Sequence, residues 1–334
     1  MNQASDGKAR HQAFCFYRLF LFVLIFPSSA QATDTSVTAR TILDKMSQAT
    51  QRLNYDGTFV YRHGDEMDTM RIIHKVEDGR EYARLVSLTG VAREVIRDNE
   101  SVTCIFPDEK AVMVEKSRPR KLLPARLPEP IETVGEFYTF SLAGTDRIAG
   151  RSTWIVSINP KDQFRYGYRL WVDLETNLLL KSELLNHNGD TLEQILFTQI
   201  SLPEDIPESL LKPAISGKDY TWYTRSSEAS AARAGNGQWK VTWLPGGFAM
   251  SDYEIQPMAI SRMPVDHMMF SDGLAMISVF IEEQEQVSDT LEGLSQMGAV
   301  NAFGILVGGH QVTAVGEVPR VTVEKIATSV VQRN

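Results

Sequence analysis

Residues 58–88, TFVYRHGDEMDTMRIIHKVEDGREYARLVSL, contain three short apolar segments separated by two turns. The segments Thr58–Arg62, Met70–Val76 and Tyr82–Leu88 are rich in β-branched and aromatic residues, which are enriched in strands. Both intervening turns contain glycine, which adopts the backbone conformations that tight hairpins require. Strand and turn at steps of about ten residues predict an antiparallel meander.

The same pattern continues to residue 201 after one interruption. The further predicted strands are Ala92–Asp98, Val102–Phe106, Ala111–Glu115, Tyr138–Ile148, Ser152–Asn159, Tyr166–Asp173, Leu178–Leu185 and Leu192–Ser201. With the first three segments they predict a large curved antiparallel sheet of about eleven strands.

Alternation along these strands predicts one apolar face and one charged face. The apolar positions are Phe59, Tyr61, Met70, Ile72, Ala83, Leu85, Val102, Cys104 and Phe106. The opposite positions include Arg62, Arg71, Lys75 and Arg84, as expected of a face in water. On this pattern the thiol of Cys104 is expected to be buried on the concave side of the sheet.

Two elements are available to cover the apolar face. Thr38–Leu53 has the apolar spacing of an amphipathic helix, and the insert Lys116–Ile131 contains repeated prolines and five cationic side chains. One interpretation is that these elements, with a second domain, complete a dry core. The other is a groove for a fatty chain or an extended peptide, with the insert as a lid whose cations suit phosphate or carboxylate groups.

The N-terminus has the three parts of a secretory signal peptide, predicted over residues 1–32. A basic region precedes the apolar run Leu19–Phe26, and the small residues of Ala30-Gln31-Ala32 follow it. Cleavage there would change the net charge from −8 to −10, because three basic residues and one acidic residue leave with the leader. That charge argues against nucleic acid as a partner. Cys104 would then be the only cysteine, so no internal disulfide is expected, and the protein is expected to be soluble in the periplasm.

The prolines and small polar residues after the sheet predict a domain boundary. We expect a first domain over residues 33–213, a linker over 214–236 and a smaller α+β domain over 237–334. Within the linker, Tyr220–Thr224 is a candidate for a short strand. The second domain is predicted to contain strands at Trp239–Leu244, Glu254–Met258, Asp266–Phe270, Leu274–Ile281 and Gln311–Val315, a glycine-rich stretch around residues 298–309, and a final helix that Pro319 opens.

No signature of catalysis or metal binding is present in the sequence. The nucleophile-elbow, zinc-protease, P-loop and Cys-x-x-Cys patterns are absent, and the histidines after the leader (residues 63, 74, 187, 267 and 310) lack ligand spacing. We therefore expect a binding protein rather than an enzyme, with no cofactor and no metal.

Several segments resemble one known family. They are GTDRIAGR (144–151), NPKD (159–162), RYGYRLWVD (165–173), LLLKSEL (178–184), WLP (243–245), FSDGL (270–274), MGAVNAFG (297–304) and VGEVP (315–319). In this order they resemble the RseB/MucB family, periplasmic regulators of the sigma-E (AlgU) envelope-stress response. The resemblance covers nearly all of the chain after the leader, and the long, very basic leader departs from it.

The resemblance implies a fold and a function. The fold would be an N-terminal half-barrel similar to the lipoprotein carriers LolA and LolB, followed by a smaller C-terminal domain. The function would be to bind the periplasmic segment of an RseA/MucA-type anti-sigma factor and shield it from site-1 proteolysis. Displaced lipid or lipopolysaccharide would release it, and the MucB branch would repress alginate production. Self-association into a homo-oligomer stays open.

Two sets of residues are expected to form the lipid site. The groove residues are Phe59, Tyr61, Ile72, Leu85, Trp154, Tyr168 and Leu170, and the headgroup or lid residues are Arg118, Arg120, Lys121 and Arg126. A different class of function, a periplasmic carrier of lipid or lipoprotein, remains as the alternative. The second domain discriminates between them, because a carrier does not need it.

Overall fold

The first helix and the concave core form as the apolar spacing predicts. A computed structural model describes residues 38–98, 101–116, 127, 131–215, 218–224, 237–257, 264–283 and 291–333. Helix α1 spans Ala39–Arg52, and the side chain of its N-cap, Thr38, accepts a hydrogen bond from the Thr41 amide. Its buried face includes Ile42, Leu43 and Met46.

All eleven strands predicted for the first domain are present. They are β1 (Tyr55–His63), β2 (Glu66–Glu77), β3 (Arg80–Ser87), β4 (Glu94–Arg97), β5 (Ser101–Phe106), β6 (Ala111–Lys116), β7 (Tyr138–Ile148), β8 (Arg151–Pro160), β9 (Gly167–Asp173), β10 (Leu179–Leu185) and β11 (Thr191–Ser201). Strand β1 pairs with both β2 and β11, so the two halves of the meander join in one sheet.

A further strand, β12 (Thr221–Thr224), forms where the sequence offered a short strand within the predicted linker. It pairs in parallel with β6, whereas the other neighbours in this sheet are antiparallel. Among the described residues the sheet has twelve strands, in the order β12-β6-β5-β4-β3-β2-β1-β11-β10-β9-β8-β7.

The convex face of the sheet is partly covered, so the prediction that it faces water is wrong in part. Lys75 is buried and its ammonium lies 3.1 Å from a carboxylate oxygen of Asp205. Arg84 donates to the carbonyl of Leu210, and Glu94 accepts from the Ala214 amide. The segment that follows β11 therefore crosses this face, which alternation within the strands could not indicate.

The smaller domain is built on a second antiparallel sheet. Its strands are β13 (Trp239–Val241), β14 (Ala249–Pro257), β15 (Pro264–Ser271), β16 (Met276–Glu283), β17 (Gly293–Met297), β18 (Val300–Val307), β19 (His310–Gly316) and β20 (Val330–Gln332). In the described residues six of them form one sheet, ordered β14-β15-β16-β19-β18-β17, and β13 pairs with β20. Helix α2 (Arg320–Thr328) buries Val323 and Ile326 in the same core.

The glycine-rich stretch was predicted without strands, but the structure places β18 within it and β17 directly before it. Gly298 has φ +58° in the turn between these strands, and Gly308 and Gly309 have φ of +57° and +81° in the next hairpin. Glycine adopts positive φ at no steric cost, so these residues mark hairpin turns rather than loop. The predicted class, a large antiparallel sheet with a helix plus a smaller α+β domain, is confirmed.

Candidate functional site

The seven groove residues predicted from the sequence come together in one cluster on the concave face. Phe59, Ile72 and Leu170 are buried in the hydrophobic core of the first domain, which also contains the apolar face of α1. Tyr61, Leu85, Trp154 and Tyr168 are half-buried and pack against that core. Helix α1 contacts β7 and β8, so it covers one end of the concave face.

The other end of the concave face carries an apolar row that remains accessible in the described residues. Directly paired positions place Leu85, Val95, Cys104, Met113 and Tyr223 side by side across β3, β4, β5, β6 and β12. Exposure increases along this apolar row, to 39% at Met113 and 57% at Tyr223. Strand alternation indicated Leu85 and Cys104. The contributions of Val95, Met113 and Tyr223 depend on pairings that the sequence did not reveal.

Cys104 faces the concave side as alternation predicts, but the expectation that its thiol is buried is wrong. The side chain is half-buried, whereas its neighbour Ile105 on the opposite face is only 3% exposed. Ile105 pairs with Val112, which is also buried. The convex face is the better packed one at this edge of the sheet.

The predicted headgroup residues Arg118, Arg120, Lys121 and Arg126 lie outside the described residues, so their role stays a prediction. Leu127, from the same insert, is buried in the first-domain core, and so are Ile131 and Val134 of the 3-10 helix that follows. Two described residues of the insert, Leu127 and Ile131, therefore pack onto the concave core.

Tyrosine hydroxyls supply polar groups within the concave face. The hydroxyl of Tyr61 donates to Oε2 of Glu193 at 3.0 Å, and burial together with this carboxylate raises the pKa of Tyr61. Burial also raises the pKa of Tyr168. Both phenols stay neutral at physiological pH, which suits a face that accepts apolar groups.

A tripeptide in the connection between β8 and β9 joins the two domains. This docking tripeptide is Phe164-Arg165-Tyr166. The guanidinium of Arg165 donates to Asp272 at 2.8 Å and to the Gly246 carbonyl at 2.6 Å. The side chains of Arg165 and Asp272 are both fully buried. A buried ion pair of this kind needs further hydrogen bonds to offset desolvation.

The flanking residues of the docking tripeptide make separate contacts with the second domain. The hydroxyl of Tyr166 accepts from Nδ2 of Asn301 at 3.0 Å. The carbonyl of Phe164 accepts from the Thr322 hydroxyl at 2.8 Å, and its ring meets that of Trp243 edge to face. Four segments of the second domain, at residues 246, 272, 301 and 322, thus hydrogen-bond one tripeptide in the described part of the chain.

The described residues hold no group of three or more His, Cys, Asp and Glu side chains placed to bind a metal ion. Neither α1 nor α2, the helices in the described ranges, is long and apolar enough to cross a membrane. What the site offers is an apolar concave face, neutral phenols and a contact between two domains, an arrangement for binding.

Two family models match the chain consecutively. The model of the MucB/RseB N-terminal domain matches residues 38–215, and that of the MucB/RseB C-terminal domain matches residues 233–331. The chain belongs to the MucB/RseB family.

Relatives in the MucB/RseB family agree over almost their full length. The sigma factor AlgU regulatory protein MucB of Pseudomonas aeruginosa is 32% identical over 319 residues, covering 93% of this chain and 95% of MucB. The sigma-E factor regulatory protein RseB of Haemophilus influenzae is 29% identical over 314 residues, covering 92% of this chain and 95% of RseB.

Solved MucB structures share the fold of this family member. A crystal structure of MucB in complex with MucA(peri) superimposes with a TM-score of 0.69 at 29% identity, covering 89% of this chain and 99% of that one. A second crystal structure of MucB gives a TM-score of 0.64 at 30% identity, covering 88% of this chain and 98% of that one. The family and its sigma-factor regulatory role therefore agree with the resemblance seen in the sequence.

Proposed function

We propose that this protein binds the periplasmic segment of a MucA/RseA-type anti-sigma factor, shields it from site-1 proteolysis and so represses sigma-E/AlgU signalling. The observation that carries the proposal is the similarity to MucB in its complex with MucA(peri), at a TM-score of 0.69 over 99% of that chain. The similarity covers 89% of this chain and so extends over both domains. In a MucB-like setting the repressed output would be alginate production.

Lipid or lipopolysaccharide acts in this proposal as the signal that releases the anti-sigma factor. The apolar row on the concave face supports it, because half-exposed apolar side chains gain from contact with an acyl chain. Each buried CH₂ contributes about 0.8 kcal/mol. The headgroup would be held by Arg118, Arg120, Lys121 and Arg126 of the insert.

The same apolar row also supports the alternative, a periplasmic carrier of lipid or lipoprotein. The docking tripeptide favours the regulator, because it ties a whole second domain to the half of the molecule that would hold lipid. A carrier needs no second domain, whereas a protein that binds a peptide with two domains requires one.

Binding to the anti-sigma segment can be measured directly. The chain without residues 1–32 is mixed with the purified periplasmic domain of a MucA-type anti-sigma factor, and affinity is followed by calorimetry. The same mixture is then treated with the site-1 protease. We expect binding and slower cleavage. Binding of lipid without any binding to the anti-sigma segment would overturn the regulator and favour the carrier.

Location and self-association need separate measurements. Fractionation of cells that express the full chain should place a shortened product in the periplasmic fraction, as the predicted leader over residues 1–32 requires. Light scattering on the purified product would establish whether a homo-oligomer forms. A product that keeps its leader and stays in the cytoplasm would contradict the proposed site of action.

A further inference from the structure

The turn that contains Asp272 touches the core of the first domain at two points. The hydroxyl of Tyr138 donates to Oδ2 of Asp272 at 2.8 Å, and Tyr138 itself belongs to the first-domain core, with only 1% of its surface exposed. Leu274, two residues after Asp272, is buried in that same core. Oδ1 of Asp272 accepts from the amides of Leu274 and Ala275 at 2.9 and 2.8 Å.

One carboxylate therefore connects three parts of the molecule. Asp272 receives Tyr138 from the concave core, Arg165 from the docking tripeptide, and the amides of its own turn in the second domain. Every one of these hydrogen bonds is buried, so water does not replace one that is lost. Movement of Tyr138 or Leu274 must displace the Asp272 turn or break a bond to it.

The apolar row adjoins the concave core, because Leu85 packs against it. An acyl chain that extends from the row into this core must displace side chains, because protein interiors are close-packed. Tyr138 and Leu274 lie at the boundary of that core with the second domain. Their displacement would act on the Arg165–Asp272 pair, which cannot be half broken without leaving a buried charge unpaired. Such an arrangement favours two discrete states over a graded response.

We propose that the docking tripeptide and Asp272 transmit acyl-chain occupancy of the concave core to the second domain and thereby lower the affinity for the anti-sigma segment. The proposal rests on the proposed function, because it presumes that lipid and the anti-sigma segment oppose each other. It assigns Tyr138 and Asp272 as positioning residues.

Tyr138→Phe is the sharpest variant, because the ring stays in the core while the hydroxyl that reaches Asp272 is lost. Asp272→Asn is the second variant, since it keeps the shape of the side chain and removes its charge. Tyr253→Phe is the matched control. The hydroxyl of Tyr253 donates to Asp266, so that bond lies wholly within the second domain.

The measurement is the ratio of affinities for the MucA-type periplasmic domain without and with saturating palmitoyl lysophosphatidylglycerol. For the unaltered chain we expect a ratio of about 10, a common size for allosteric coupling. Tyr138→Phe and Asp272→Asn should bring the ratio below about 3, while the affinity for each ligand alone changes by less than about threefold. Tyr253→Phe should keep the original ratio. Thermal unfolding curves establish that each variant is folded.

A second readout does not depend on the anti-sigma segment. Spin labels at exposed Glu109→Cys and Lys240→Cys, in a Cys104→Ser background, report the distance between the domains. The lysolipid should shift that distance in the parent and leave it unchanged with Tyr138→Phe. Ratios or shifts that equal those of the parent in both variants would overturn the proposal.

Failure of the underlying function gives a different pattern. If the anti-sigma segment does not bind but the lysolipid still shifts the distance, the proposed function falls and the connection between core and second domain stands. If the segment binds and the lysolipid changes neither ratio nor distance in the parent, the transmission falls and the binding function stands.

Discussion

Nη1 of Arg165 lies 2.8 Å from Oδ2 of Asp272, and neither side chain is reached by water. The guanidinium carbon is also 5.0–5.3 Å from the ring centres of Phe137, Tyr138 and Phe248. Aromatic faces attract a cation most strongly when the site is desolvated. Arg165 is thus held by the carboxylates of Asp162 and Asp272, a carbonyl and three rings. Its pair with Asp272 joins residues that are 107 positions apart in the sequence.

Loss of this guanidinium should be costly. Arg165→Met leaves the carboxylate of Asp272 buried without its cation, and breaking a buried pair in this way costs about 3–5 kcal/mol. The matched control is Arg169→Met, because Arg169 is 43% exposed and its pair with Glu183 spans 3.5 Å. That change should cost less than about 1 kcal/mol. Urea unfolding compares the two free energies. Equal losses would contradict the importance assigned to the buried pair.

Cleavage between the domains should not separate them. The small residues of Ser226–Gly237 have no hydrophobic period, so we expect proteases to cut there first. The fragments should nevertheless elute together from a sizing column, because the docking tripeptide keeps its bonds to residues 246, 272, 301 and 322. The same cut in Arg165→Met should release them. First cuts inside Tyr138–Ser201, or separation of the unaltered fragments, would contradict this expectation.

The sequence predicted strands well because each strand carries its own signal. Phe59 and Tyr61 alternate with Thr58, Val60 and Arg62, and glycine turns close the hairpins, so local pattern alone located all eleven strands of the first domain. The concave position of Cys104 followed from the same alternation. The degree of its burial did not, because burial depends on which segments lie above a face.

Contacts distant in sequence explain what was missed. The segment after β11 covers Lys75 and Arg84, and nothing in the alternation of β2 and β3 indicates this cover. Arg165 lies in a polar turn by sequence, yet it is fully buried, because its partner Asp272 arrives from the other domain. The family resemblance covered both residues, within RYGYRLWVD and FSDGL, but it did not indicate that they pair.

Cys104 offers a direct probe of lipid binding on the concave face. Its thiol is half-buried in the apolar row, so a maleimide reagent should label it slowly in the unliganded protein. If acyl chains lie along this row, palmitoyl lysophosphatidylglycerol should slow labelling further, by at least about fivefold. Fivefold protection corresponds to a free energy of only about 1 kcal/mol. Thr139→Cys in a Cys104→Ser background is the control, because Thr139 is exposed at the sheet edge. Equal protection at both positions would point to non-specific coating.

Stability in alkali should depend on Tyr138. Burial, and then the charge of Asp272, raise the pKa of Tyr138 in the folded protein, whereas an unfolded tyrosine ionises near pH 10. Above that pH the unfolded chain binds fewer protons, so the free energy of unfolding falls as pH rises. Between pH 10 and pH 11 one such tyrosine should account for about 1 kcal/mol of the decline.

Tyr138→Phe should remove that share of the decline. The lost hydrogen bond to Asp272 lowers stability by about 1 kcal/mol at every pH, so the pH dependence, rather than the absolute value, isolates the ionisation. Urea unfolding at pH 9, 10 and 11 measures both quantities. Tyr223→Phe is the control, since that ring is 57% exposed in the folded protein and its removal should leave the slope unchanged. A slope for Tyr138→Phe equal to that of the unaltered chain would mean that the Tyr138 hydroxyl reaches water when the protein is folded, against its buried contact with Asp272.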